Sequence, residues 1–391
     1  MKIFNINFGK NLLFPNGFFV DLCSSDRVRV GPDKPDFYQP AYKIAPGLYS
    51  QVIVGFVGLN ATGKTTILDA ICLISNILIG DHKLNENDVR SLLDKFFILS
   101  DSSLEFQVEF ENESNIYKIE STIGVDSNLY YFEKEKLSIT TLNLYKSNKQ
   151  YSKEILREQV EKTSDYLKPD ISIVSAYNNC KEKYNSNLRF VNSNIASWIG
   201  TPPNEFVKCF DSSIKNLTMY KNISSNALEV SVMFNRSNSH QVNQSKKVPI
   251  ESILSSGTIK GMTMLPAIIE VLKFGGYYIA DELENHFNKK IIEFIMGLFT
   301  DKRTNPKGAC LIFSTHYTEL LDFISRKDNV YITTRDNNFL KLTRLSDSKE
   351  VVRNDISKSR IFLSNLIKGT APKKIDLDNV KRLIATEVGG L

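Results

Sequence analysis

The sequence predicts an α/β fold: a mostly parallel central sheet with helices on both faces, plus an antiparallel β subdomain and an α/β insertion. Three observations predict it. QVIVGFVG (51–58) is an unbroken apolar run leading into TTILDAICLISNIL (65–78), whose apolar residues recur at helical spacing. Between 257 and 345, short apolar runs alternate with helical patterns, the order that a parallel sheet wrapped on both faces produces. Elsewhere the apolar residues alternate: Ile3, Phe4, Ile6 and Phe8, then Phe18, Phe19 and Val20, and again Leu104, Phe106, Val108 and Phe110. That period belongs to strands with one face buried.

In chain order, the N-terminal strands are separated from the 51–58 strand by the proline- and charge-rich loop DRVRVGPDKPDFYQPAYKIAPG. LEFQVEFENESNIYKIE (104–120) reads as a hairpin turning at ENESN. YSKEILREQVEKTSDYL (151–167) fits an amphipathic helix, FVKCFDSSIKNLTM (206–219) a helix running into a strand, and NRSNSHQVNQSKKV (235–248) a polar loop or hairpin tip. A helix is expected from Thr258 to about Phe274, a strand over 277–280, a helix over 288–299 and a buried strand over 309–315. A helix near 318–325 and a hairpin over 330–345, turning at Asp336-Asn337-Asn338, complete the order. These patterns divide the chain into an N-terminal lobe (1–80), an insertion (81–250), a second lobe (251–345) and a basic tail (346–391).

The 391 residues are 42% hydrophobic and 24% charged, an ordinary soluble balance. A net charge of +5 permits contact with nucleic acid without requiring it. With no signal-peptide pattern and no apolar run near twenty residues, a cytoplasmic protein with no membrane partner is expected. Cys72, Cys209 and Cys310 lie in apolar runs and read as core residues. The four histidines show no metal-ligand spacing, which argues against a zinc centre.

GLNATGKT (58–65) matches GxxxxGK[ST], and it stands between a buried strand and a helix, as a phosphate-binding loop must. Gly58 and Gly63 are expected to let the backbone turn so that N–H groups point inward, with Asn60, Ala61, Thr62 and Thr66 completing the cradle. Lys64 would bridge the β- and γ-phosphates of ATP, and the Thr65 hydroxyl would bind Mg²⁺. YYIADELEN (277–285) puts Asp281 and Glu282 at the end of an apolar strand, where α/β sheets open their ligand crevice. Asp281 would hold the Mg²⁺ shell, and Glu282 would orient and deprotonate the attacking water. His316 closes the next strand, within reach of the γ-phosphate. His286, just past the acid pair, suits either a subunit contact or simple packing.

ESILSSGTIKGM (251–262) opens the 258–274 helix, with Ser255 or Ser256 as N-cap and Gly257 beside them. A second phosphate clamp of this kind, in a chain that already has a cradle, suits the γ-phosphate bound to another subunit. LSSGT between a phosphate loop and a strand ending in Asp-Glu, with a histidine after the next strand, resembles the signature arrangement of ABC-type P-loop ATPases. FDSSI (210–214), LSSGT, DELEN and STH in that order are similar to the soluble RecF, Rad50, SMC and OLD-like branch, above all to AAA-family ATPases of bacterial phage defence. Transporter ATPases carry LSGGQ where this chain has LSSGT, and no glutamine loop stands out between Gln107 and Gln150.

The resemblance implies an ATPase that dimerises around ATP, acts as a nucleotide-gated clamp or sensor, and controls an effector on a separate polypeptide, such as a TOPRIM-type nuclease or a toxin. Ser255, Ser256 and Gly257 would then act across the dimer. A RecF- or Rad50-like DNA-repair ATPase and the ATPase subunit of a membrane transporter are the alternatives.

Overall fold

The computed structural model describes residues 1–24, 28, 30, 32–79, 83–99, 103–148, 150–161, 167–178, 189–190, 201–221, 228–235, 254–336, 339–348, 357–364, 369–370 and 374–388. The polar stretch expected over 235–248, Asn235 aside, and the turn residues Asn337 and Asn338 lie outside the described residues.

The chain begins with β1 (Lys2–Phe8), β2 (Phe18–Asp21) and β3 (Cys23–Ser24), then β4 (Ala41–Ala45), β5 (Leu48–Gln51) and β6 (Ile53–Gly58). Helices α1 (Lys64–Ile79) and α2 (Asn87–Ile98) follow. Next come the long strands β7 (Leu104–Asn112), β8 (Asn115–Asp126) and β9 (Leu129–Thr141), then α3 (Leu142–Asn148), β10 (Lys153–Leu156), α4 (Arg157–Glu161) and α5 (Ile173–Asn178). β11 (Arg189–Phe190), α6 (Asn204–Phe210), β12 (Ile214–Lys221) and β13 (Leu228–Phe234) lead to α7 (Ser256–Phe274), β14 (Tyr277–Ala280), α8 (Lys289–Thr300) and β15 (Cys310–Thr315). A 3-10 turn (Thr318–Phe323), the hairpin β16 (Val330–Asp336) and β17 (Phe339–Arg344), and helices α9 (Lys358–Leu363) and α10 (Lys374–Glu387) end the order.

The central sheet runs β11-β14-β15-β6-β16-β17, parallel except for the edge strand β17. Its two faces are read directly from strand alternation. Val54, Phe56, Ile279 and Ile312 share a core with α1, whereas Val57, Ala280, Leu311 and Phe313 pack on α7 and α8. A second six-stranded sheet, β10-β9-β8-β7-β1-β2, is wholly antiparallel and covers the other side of α1. Enclosed between two sheets, α1 is buried nearly all round from Ile67 to Leu78, which explains why its sequence is apolar on every face. Lys2 ties the antiparallel sheet to the segments that lead into β14 and β15: its ammonium donates to the carbonyls of Gly275 (2.7 Å), Lys307 (2.8 Å) and Gly308 (2.5 Å).

The fold class therefore stands as read, and the 104–120 hairpin turns where expected. Glu113 and Ser114 both have positive φ (48° and 68°), as the two central residues of a type I′ turn do. Three readings need correction. Of the helix expected over 151–167, residues 162–166 lie outside the described residues, and the part before them is instead a strand over 153–156 and a one-turn helix over 157–161, because the free edge of β9 takes Lys153–Leu156 as a partner. Arg157 on that short helix is buried and paired with the buried Glu135 at 2.6 Å. Cys209 is exposed, unlike Cys72 and Cys310. On α6 it lies about 200° around the axis from the buried Val207, so the helix turns it away from the core. The helix near 318–325 is a 3-10 segment.

Candidate functional site

The carboxyl ends of β6, β14 and β15 lie side by side in the sheet, and each delivers one part of the site. β6 ends at Gly58 and α1 starts at Lys64, so the 59–63 loop wraps over a helix N-terminus. Gly63 adopts φ +86° and Ala61 φ +58°, which curls the loop tightly. Gly58 does not turn the chain, contrary to expectation. It is required by crowding instead: a Cβ there would sit 2.0 Å from Thr333 Oγ1 on β16 and 2.6 Å from Thr62 Oγ1. Thr62 donates to the Leu59 carbonyl (2.7 Å) and shares a hydrogen bond with Thr333 (2.7 Å), which pins the loop to the neighbouring strand.

Lys64 is buried, its ammonium donating to the carbonyls of Gly58 and Leu59, both at 2.9 Å. Burial lowers its pKa to about 8, against the opposing pull of Asp281, Glu282 and Glu284. On its other side stands His316, whose Nδ1 is 3.4 Å from Lys64 Nζ. An ammonium has only protons to offer, so in this contact Nδ1 is the acceptor and the ring hydrogen sits on Nε2. That Nε2 lies 3.4 Å from Glu282 Oε1. Lysine, histidine and glutamate thus form a line across three strand ends.

Thr65 Oγ1 donates to Asp281 Oδ2 at 2.7 Å, joining the first turn of α1 to the end of β14. Ser314 donates to the other oxygen of Asp281 and also accepts from the Glu282 N–H at 2.8 Å. A hydroxyl and a carboxylate side by side are two hard oxygen donors, the set a hydrated Mg²⁺ accepts while keeping positions for water and phosphate. These residues fit the metal: Thr65 and Asp281 would hold it, and it would draw charge from the phosphate oxygens. Among the described residues no group of three His, Cys, Asp or Glu side chains forms a denser metal cluster.

Glu282 has φ +46°, a backbone state that a non-glycine residue adopts only when its surroundings impose it. Its carboxylate, part exposed, accepts from the Asn285 side-chain amide. Glu284, two residues on, is buried and accepts the backbone N–H of His316 at 2.6 Å, so it fixes the histidine's entry into the site. Sequence reasoning passed over Glu284, Ser314 and Thr333. Glu284 and Ser314 stand within DELEN and STH, and the position of each motif at a strand end was the available signal.

Ser255 caps α7, accepting from Thr258 N at 3.1 Å and bonding to Thr258 Oγ1 at 2.8 Å. Ser255 and Ser256 are exposed, while Gly257 presses on the loop after β14: a Cβ there would meet the His286 carbonyl at 2.5 Å. The structure thus gathers Lys64, Thr65, Asp281, Glu282 and His316 into one site and leaves the two signature serines facing outward. The His286 side chain is exposed, and its backbone has φ +70°.

A family model described as an AAA domain, putative AbiEii toxin, type IV TA system, matches residues 53–322, more than half of the chain. The chain belongs to this AAA-domain family. It is similar to the solved SMC head domain from Thermotoga maritima (12% identity, TM-score 0.39, covering 88% of this chain and 99% of that one). It is also similar to a dimeric, post-hydrolysis ATP-binding cassette bound to ADP and Pi (12% identity, TM-score 0.27, covering 79% and 97%). No curated protein matches. Among the described residues, no helix is long and apolar enough to cross a membrane.

Proposed function

We propose that this chain binds and hydrolyses ATP with Mg²⁺, dimerises head to tail around the nucleotide, and uses that cycle as a gated clamp controlling a separate effector. The observation that carries the reading is the line Lys64–His316–Glu282 beside the Thr65–Asp281 pair. Lys64 and the helix N-terminus receive the phosphates, Thr65 and Asp281 hold the metal, and Glu282 takes a proton from water while His316 fixes the geometry. The exposed Ser255 and Ser256, at a helix N-terminus, would close a neighbour's γ-phosphate. Its family description, an AAA domain of a putative AbiEii toxin in a type IV toxin–antitoxin system, supports a toxin–antitoxin context, and abortive anti-phage defence is the role we propose within it.

The test is the dependence of turnover on protein concentration. A shared site makes phosphate release per chain rise with concentration until the dimer saturates. Turnover per chain that stays flat from nanomolar to micromolar protein would mean that each chain completes its own site.

The depressed pKa of Lys64 adds a pH prediction. Phosphate binds the protonated ammonium, and burial makes that proton leave at about 8 rather than near the usual lysine value. ATP affinity is therefore expected to be level below about pH 7 and to fall by up to about tenfold per unit above pH 8. Lys64→Arg, charged throughout, should flatten the profile even if it binds more weakly. Titrating a fluorescent ATP analogue at pH 7, 8 and 9 checks this, and a flat wild-type profile would contradict it.

A further inference from the structure

Lys260 lies in the second turn of α7, five residues after Ser255, and is buried. Its ammonium donates to the carbonyl of Asn285 at 2.8 Å and to that of Glu282 at 3.3 Å, with the Phe287 ring 5.1 Å away. A charge taken out of water must be compensated, and here one loop supplies both carbonyls and the aromatic face. That loop carries the candidate base. It also has two non-glycine residues in the left-handed region, Glu282 (φ 46°) and His286 (φ 70°), a conformation that persists only where neighbours hold it.

A second contact makes the same connection independently. Gly257 packs so closely on the His286 carbonyl that a Cβ would lie 2.5 Å from it. The first and second turns of α7 therefore both bear on residues 282–287. Within the loop, the Asn285 amide donates to the Glu282 carboxylate, so the residue whose carbonyl Lys260 grips also aims the acid. The exposed serines that open α7 and the carboxylate at the end of β14 are joined through one rigid helix.

We propose that Lys260 is a positioning residue that couples the seating of the α7 N-terminus to the orientation of the Glu282 carboxylate, so that engaging a neighbour's phosphate tunes hydrolysis in the chain's own site. This rests on the ATPase reading above. Lys260 touches neither phosphate nor metal in this scheme, which separates its effect from that of Lys64.

The experiment compares wild type, Lys260→Met and Lys260→Arg by ATP turnover, nucleotide binding and thermal melting. Methionine keeps the stem against Phe287 and removes the donors. It is expected to lower kcat by about ten- to a hundredfold with KM changed by less than about threefold, since a small misplacement of a reacting group costs that much. Arginine, still a cationic donor, should recover most of the loss. Wild-type kcat in Lys260→Met would overturn the coupling, as would kcat and nucleotide affinity lost together. Should Lys260→Met fail to fold, Gly257→Ala, which pushes on the same loop, must show the same fall in kcat at constant nucleotide affinity; normal kcat there overturns the proposal. A wild type that binds ATP without hydrolysing it would refute the ATPase reading itself, and the coupling with it.

Discussion

Glu282→Gln is expected to lower ATP turnover by about two to three orders of magnitude while nucleotide affinity stays within a few-fold of wild type, the loss that removing a general base produces. The substitution is nearly isosteric. The amide oxygen can still accept from Asn285, and the backbone N–H still donates to Ser314, so the unusual φ of residue 282 keeps its supports. Lys64, Thr65 and Asp281 are untouched, which leaves the phosphate and metal contacts in place. What goes is the proton acceptor. A site that closes on ATP but cannot cleave it should accumulate the ATP-bound dimer, visible as a doubled mass in light scattering with Mg-ATP but not with Mg-ADP. Hydrolysis at the wild-type rate would remove Glu282 from the role of base, and His316 would be the next group to examine.

The parts of this site that were legible in the sequence are those fixed by residue type at short spacing. GLNATGKT needs a lysine and a hydroxyl next to each other at a helix start, Asp281-Glu282 follows an apolar strand, and His316 follows the run ACLIFST. The supports were not legible, because they act across the fold. Thr333 reaches Thr62 over a separation of 271 residues, and Glu284 meets His316 over 32. Gly58 shows how a correct motif can carry a wrong reason: the loop turns at Ala61 and Gly63, while Gly58 makes room for β16.

In the fold, the continuation of β8 and β9 past residue 120 was hidden by Glu135. A glutamate at an inward position breaks the apolar alternation, and its burial is explained by partners far along the chain: Arg157, the Ser172 hydroxyl and the Ile173 N–H. The Glu135–Arg157 pair explains the misread 151–167 segment. Its polar residues suggested a solvated helix face, yet Arg157 points inward to Glu135 and to the carbonyls of Ile171 and Lys168 (both 2.9 Å).

Ser256→Arg is expected to abolish most hydrolysis while a single chain still binds ATP normally. Ser256 is exposed at the first helical position of α7, so an arginine fits the isolated chain without entering its core. In a head-to-tail dimer the same guanidinium would occupy the space that a neighbour's γ-phosphate and metal require. Mixing separates the two cases. Ser256→Arg keeps a sound cradle with a spoiled lid, and Lys64→Met keeps a sound lid with a spoiled cradle. Each alone should be inactive, yet their mixed dimer contains one complete site of the two. Random pairing makes half the dimers mixed, so an equimolar mixture should recover roughly a quarter of wild-type turnover. A mixture no more active than its components would mean that the cradle and the serine-bearing helix never meet across two chains, and full activity in Ser256→Arg alone would remove the serines from the site altogether.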